Sequence, residues 1–137
     1  MRFIPTRVHG LLDYGTGLLL IAAPFLLGFA DGGAAQWVPI VLGVATLGLA
    51  AMTDFEVGLV RRVPMAVHLM VDLGSGLLLA LSPWLFGFAD TLADGRAGVY
   101  LPHLVLGVLE VGAALTTKTV PADRAAALPP TARAGRI

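Results

Sequence analysis

Charge is missing from long stretches of this chain, and that feature limits what it can become. Tyr14 to Ala30 is an uncharged run of 17 residues, Gly32 to Thr53 one of 22, and Leu73 to Ala89 another of 17. A fourth stretch, Val99 to Thr117, is interrupted only by Glu110. A helix rises about 1.5 Å per residue, so about 20 apolar residues cross a hydrocarbon core of roughly 30 Å. Pro5 and Pro64 suit a first helical turn, where a missing N–H costs little, which lets the first and third helices begin ahead of their uncharged runs at a length of about 25 residues. A soluble bundle would need polar outer faces, and these stretches are apolar all round. The fold class expected is an all-α membrane protein with four transmembrane helices.

The rest of the composition removes function classes. There is no cysteine, which excludes disulfide frameworks, thiolate zinc sites and cysteine nucleophiles. Net charge is zero and the basic residues form no patch able to follow a phosphate backbone, so nucleic acid is not an expected partner. No phosphate loop, nucleotide fingerprint or nucleophile–base spacing is present, and the protein is expected not to be an enzyme. Eight of the nine basic residues flank the stretches on one side, with Arg96 alone on the other beside Asp31, Asp90 and Asp94. By the positive-inside rule both termini are expected in the cytoplasm, in the cytoplasmic (inner) membrane, with Trp37, Trp84 and Tyr100 near the opposite interface.

The chain repeats itself. Shifting by 59 residues pairs Arg7–Asp31 (RVHGLLDYGTGLLLIAAPFLLGFAD) with Ala66–Asp90 (AVHLMVDLGSGLLLALSPWLFGFAD). His9 meets His68, Asp13 meets Asp72, Pro24 meets Pro83, and Gly15, Gly17 and Gly28 meet Gly74, Gly76 and Gly87. After a longer second loop the match resumes, with Leu42-Gly43-Val44 against Leu106-Gly107-Val108. The expected organisation is a first two-helix repeat (1–59), a second (60–118) and a mobile cytoplasmic tail (119–137). Because each repeat crosses twice, both enter from one side, related by a pseudo-twofold axis along the membrane normal.

The tripeptide Ser82-Pro83-Trp84, inside a unit reading G-x-G-L-L-L…P-[FW]-L-x-G-F-A-D, resembles the SPW-repeat family of bacterial and archaeal membrane proteins. The likeness covers roughly residues 5 to 117, and the first copy departs to Ala23-Pro24-Phe25. It implies a small multi-span protein without a settled activity. Physically, Pro24 and Pro83 late in their helices are expected to kink them, Phe25 and Trp84 to pack or anchor at the outer interface, and the four glycines Gly15, Gly17, Gly74 and Gly76 to let backbones approach.

Titratable residues within spans are the candidate functional groups. His9 and Asp13, like His68 and Asp72, are four apart and share a helix face. The repeat brings the two pairs to one depth near the cytoplasmic end, where a His–Asp hydrogen bond that fixes helix packing is the plain reading. The alternatives are haem b held by His9 and His68, a divalent metal held by two His and two Asp, or a small transporter with a proton path relayed by Glu110. No cofactor or metal is the leading expectation. Glu110 and His103 fall on one face of the fourth helix, as an asymmetric polar stripe for a partner or a substrate. The expected function is that of a structural or interaction protein in the lipid bilayer, associating with itself or serving as an accessory subunit of a larger membrane complex.

Overall fold

In the computed structural model residues 2–93 and 97–127 are described. Two long helices, α1 (Thr6–Leu26) and α3 (Met65–Leu85), start directly after Pro5 and Pro64. Both prolines hold extended backbone (φ −63°, ψ 144° and φ −60°, ψ 141°) as N-caps, one position before the expected first turn. Each helix is 21 residues long, shorter than the roughly 25 expected, because each stops two residues after its internal proline. The stop has a specific cause. Gly28 and Gly87 adopt φ 71° and 73°, a left-handed conformation that glycine reaches without a Cβ clash. The next residue then folds back, so that Phe29 N–H donates to Pro24 O (2.9 Å) and Phe88 N–H to Pro83 O (2.8 Å). The P-[FW]-L-x-G-F unit is therefore a helix C-cap whose last phenylalanine is buried. Proline contributes its carbonyl to that cap, and the exposed Phe25 and Trp84 lie outside it.

Helices α2 (Ala34–Met52) and α4 (Tyr100–Thr116) complete the bundle. α1, α2 and α3 are each long and apolar enough to cross a membrane, whereas α4 has 17 residues, about 25 Å of rise. The loop between α3 and α4 carries a two-residue ladder, β1 (Leu92–Ala93) against β2 (Ala97–Gly98), the one departure from helix among the described elements.

α1 packs chiefly on α2, and α3 on α4. Glycines set both contacts. A Cβ on Gly43 would stand 2.6 Å from Gly17 O, and one on Gly76 would stand 2.9 Å from Gly107 O. Of the four glycines expected to bring backbones together, only Gly17 and Gly76 do so; Gly15 and Gly74 have nothing within 4 Å of a Cβ position. The members of each pair, Gly15 with Gly17 and Gly74 with Gly76, are two positions apart, so they face opposite sides of the helix.

Polarity is arranged inside out relative to a soluble protein. Leu11 and Leu18 on α1, Val41 on α2, Met70 on α3 and Leu109 on α4 are exposed, while His9, Asp13, Thr46, His68, Asp72 and His103 are buried. So large an apolar exterior is matched to lipid rather than water. At one end, a core of Ala23, Phe29, Ala35, Phe88 and Val99 closes the bundle. At the other, Ala50, Phe55, Met65, Leu69 and Ala114 do. There the chain before α1 bridges the end of α4 (Ile4 with Thr117), as the chain before α3 bridges the end of α2 (Thr53 with Val63).

The segment after α4 is the one expected as a mobile cytoplasmic tail. Its first part forms a short helix, α5 (Ala122–Ala127), held on the α2–α3 loop by Arg124 with Asp54 (2.8 Å), Asp123 with Arg61 (3.3 Å) and Ala122 N–H on Glu56 Oε1 (2.7 Å). Residues 128–137, with Arg133 and Arg136, and Asp94 and Arg96 between α3 and α4, lie outside the described residues.

Candidate functional site

The His–Asp pairs are the fourth and eighth residues of α1 and α3, on the faces that these helices turn toward each other. They do not pair only within their own helices. His9 Nε2 is 2.9 Å from Asp72 Oδ2 and 3.5 Å from Asp13 Oδ1. His68 Nε2 is 3.0 Å from Asp13 Oδ2 and 2.9 Å from Asp72 Oδ2. The four side chains thus form one buried quartet in which each histidine meets an aspartate of the other repeat. Their donor atoms all lie within 4.8 Å of one another.

Two threonines complete it. Thr53, the C-cap of α2, places Oγ1 2.7 Å from His68 Nδ1, and Thr117, the C-cap of α4, places Oγ1 3.0 Å from His9 Nδ1. Each hydroxyl also donates to a carbonyl one turn back, Thr53 to Leu49 O and Thr117 to Ala113 O, both at 2.7 Å. A hydroxyl has a single proton. With it committed to the helix, each threonine can only accept, so each Nδ1 carries hydrogen and each Nε2 faces the carboxylates. Neither threonine stood out by residue type, although continuing the second-helix alignment (Gly48 with Gly112, Ala50 with Ala114) pairs them.

A cap seals the quartet. Phe55, fully buried, sits 5.7 Å from the His68 ring between centroids, and Glu56 accepts from Thr6 Oγ1 at 2.7 and 2.9 Å. Arg2 holds the α4 terminus through Thr117 O (2.6 Å). The His9 and His68 rings meet edge to face at 5.3 Å between centroids.

Glu110 and His103 do not form a stripe directed at one target. His103 lies at the opposite end, 1% exposed, between Phe29 and Phe88. Its Nε2 is 2.9 Å from Ala35 O and its Nδ1 2.8 Å from Val99 O, and a neutral ring donates to one of the two. It fastens the starts of α2 and α4. Glu110 Oε1 instead accepts from Ser75 Oγ on α3, and its Oε2 has no partner. Between α1, α2 and α4 a cavity of about 230 Å³ is lined by His9, Asp13, Thr16, Thr46 and Glu110, with the exposed Leu12 and Leu109 at its rim.

The profile of the SPW repeat domain matches residues 7–117. No curated protein and no solved structure is matched. The matched segment takes in both helix pairs, both P-[FW]-L-x-G-F caps and every member of the quartet with its two threonines. This chain belongs to the SPW repeat family.

Proposed function

We propose that this is a non-enzymatic membrane protein of four spans, two hairpin repeats inserted in the same sense, that acts by association: with its own copies or as an accessory subunit of a larger membrane complex. The short α4 spans with the help of local bilayer thinning and its flanking residues, at a modest cost per ångström of mismatch. Both termini and the quartet lie at the cytoplasmic side of the inner membrane, as the basic flanks require.

The observation that carries the association reading is the set of outward glycines. Gly15, Gly48, Gly74 and Gly112, one on each long helix, are exposed and have open space where a Cβ would be. Glycine in a helix costs about 1 kcal/mol relative to alanine, and nothing in the fold of one chain repays that here. In membranes such bare backbone is where another helix approaches.

Native mass spectrometry of gently extracted protein tests this. The wild type is expected as a homo-oligomer or with other polypeptides, and Gly74→Phe is expected to leave the chain folded but release it as a monomer. A monomeric wild type, or an assembly indifferent to all four Gly→Phe changes, contradicts association through these faces.

A further inference from the structure

We infer that His9, Asp13, His68 and Asp72 form a binding site for one divalent transition-metal ion, zinc by its ligand set, with Thr53 and Thr117 as the residues that orient the two imidazoles. The inference rests on the geometry of the quartet and is independent of what the protein associates with.

The tautomer comes first. A metal-binding histidine needs a lone pair at one nitrogen, and proteins secure it by giving the other N–H an acceptor. Thr53 and Thr117 do this for both rings, because each hydroxyl proton is already used on Leu49 O or Ala113 O. Both Nε2 atoms are thereby turned toward the same small volume.

Spacing is the second. A tetrahedral ion with bonds of about 2.0–2.1 Å separates its ligand atoms by roughly 3.3 Å. Asp72 Oδ2 lies 2.9 Å from both Nε2 atoms, the two oxygens of Asp13 lie 3.5 and 3.0 Å from His9 and His68, and one ligand atom from each of the four residues falls within 4.8 Å of the others, a cluster of the size such an ion gathers.

Third, hydrogen bonding leaves part of the cluster unexplained. With its hydrogen on Nδ1, His68 presents a bare Nε2 lone pair to two carboxylate oxygens at 2.9 and 3.0 Å with no proton between them, and Asp13 Oδ2 likewise has no hydrogen-bond partner. His68 is fully buried and Asp13 is 8% exposed. Buried polar atoms without partners are costly, and an ion between them would satisfy both.

Charge is the fourth. Two carboxylates and two neutral imidazoles cancel a doubly positive ion, so the loaded site is neutral at a depth where net charge is expensive. Nitrogen and oxygen donors without thiolate, in a four-donor set, suit zinc among the common ions. The cavity lined by His9, Asp13 and Glu110 supplies an access route, with the unpartnered Glu110 Oε2 beside it.

The test uses full-length protein purified in detergent, stripped with chelator, incubated with Zn²⁺ alone or Co²⁺ alone, and freed of unbound ion. The expected result is one zinc per chain by elemental analysis, and with cobalt the intense visible absorption of a tetrahedral centre. Asp72→Asn and His68→Ala are expected to abolish both signals. Because these variants can fail to fold, Thr53→Val and Thr117→Val provide the second arm: they keep all four ligands and are expected to weaken zinc about 10–100-fold. A folded wild type that retains no zinc and gives no cobalt absorption overturns the inference. So does zinc binding that survives loss of Asp72 and His68 in folded protein. Unchanged affinity in both threonine variants overturns the orienting role assigned to them.

Discussion

Asp72→Ala is expected to destabilise the protein by about 3–5 kcal/mol, the usual cost of removing one partner from a buried ionic cluster. One oxygen of Asp72 lies 2.9 Å from the Nε2 of both histidines, so its loss leaves two buried imidazoles without their common neighbour. The side chain is only 3% exposed, and water has little access to compensate. Reversible unfolding in mixed micelles measures the effect. Asp13→Ala should behave alike, and the double variant should cost less than the sum, because the four groups act as one unit. The exposed Asp90, which has no place in the cluster, should tolerate Asn within about 0.5 kcal/mol. A cost below about 1 kcal/mol for Asp72→Ala would mean that the quartet does not hold the repeats together.

Gly107→Leu is the second large effect. A Cβ at this position would stand 2.5 Å from Ala80 N and Gly76 O and 2.8 Å from Ala80 Cα. Those are backbone atoms of α3, so no rotamer change relieves the clash and the helices must separate. Overpacking costs typically about 1–3 kcal/mol, and a clash with backbone atoms falls at the upper end of that range. The repeat supplies a comparison at the other contact, where Gly43→Leu meets Gly17 O and should be similarly harmful. Gly112→Leu, five residues along α4 with nothing within 4 Å, should leave the stability of a single chain unchanged or slightly raised through helix propensity. Thermal unfolding of the three variants side by side checks the ranking.

How much of this was legible in the residues depends on the range of the interaction. Helix starts at Pro5 and Pro64 and the shared faces of His9/Asp13 and His68/Asp72 follow from local rules, and they were readable. Pairing across the repeats was readable only as common depth. Helical spacing says which side chains share a face, not which face they meet, so the contacts of His9 with Asp72 and His68 with Asp13 needed the fold. Nothing in the sequence marks Thr53 and Thr117, because threonine at a helix end is ordinary by type; only the imidazole opposite gives each a task. A late proline in a helix predicts a kink at Pro24 and Pro83, and the left-handed Gly28 and Gly87, visible only in the fold, make the same residues part of a cap. Gly15 and Gly17 looked equivalent by composition, yet two positions along a helix is a turn of about 200°, and they face opposite ways. His103 and Glu110 share a face of α4, but they meet different helices at different depths.

Cysteine accessibility mapping tests the central claim, four spans with the quartet at the cytoplasmic side. The chain has no cysteine, so single substitutions give a clean background. In intact cells a membrane-impermeant maleimide should label Gly32→Cys and Asp90→Cys, and should reach Arg62→Cys and Lys118→Cys only after the membrane is opened. Labelling of Arg62→Cys from outside, or Gly32 and Arg62 reacting from the same side, would contradict the hairpin topology and the depth assigned to the site.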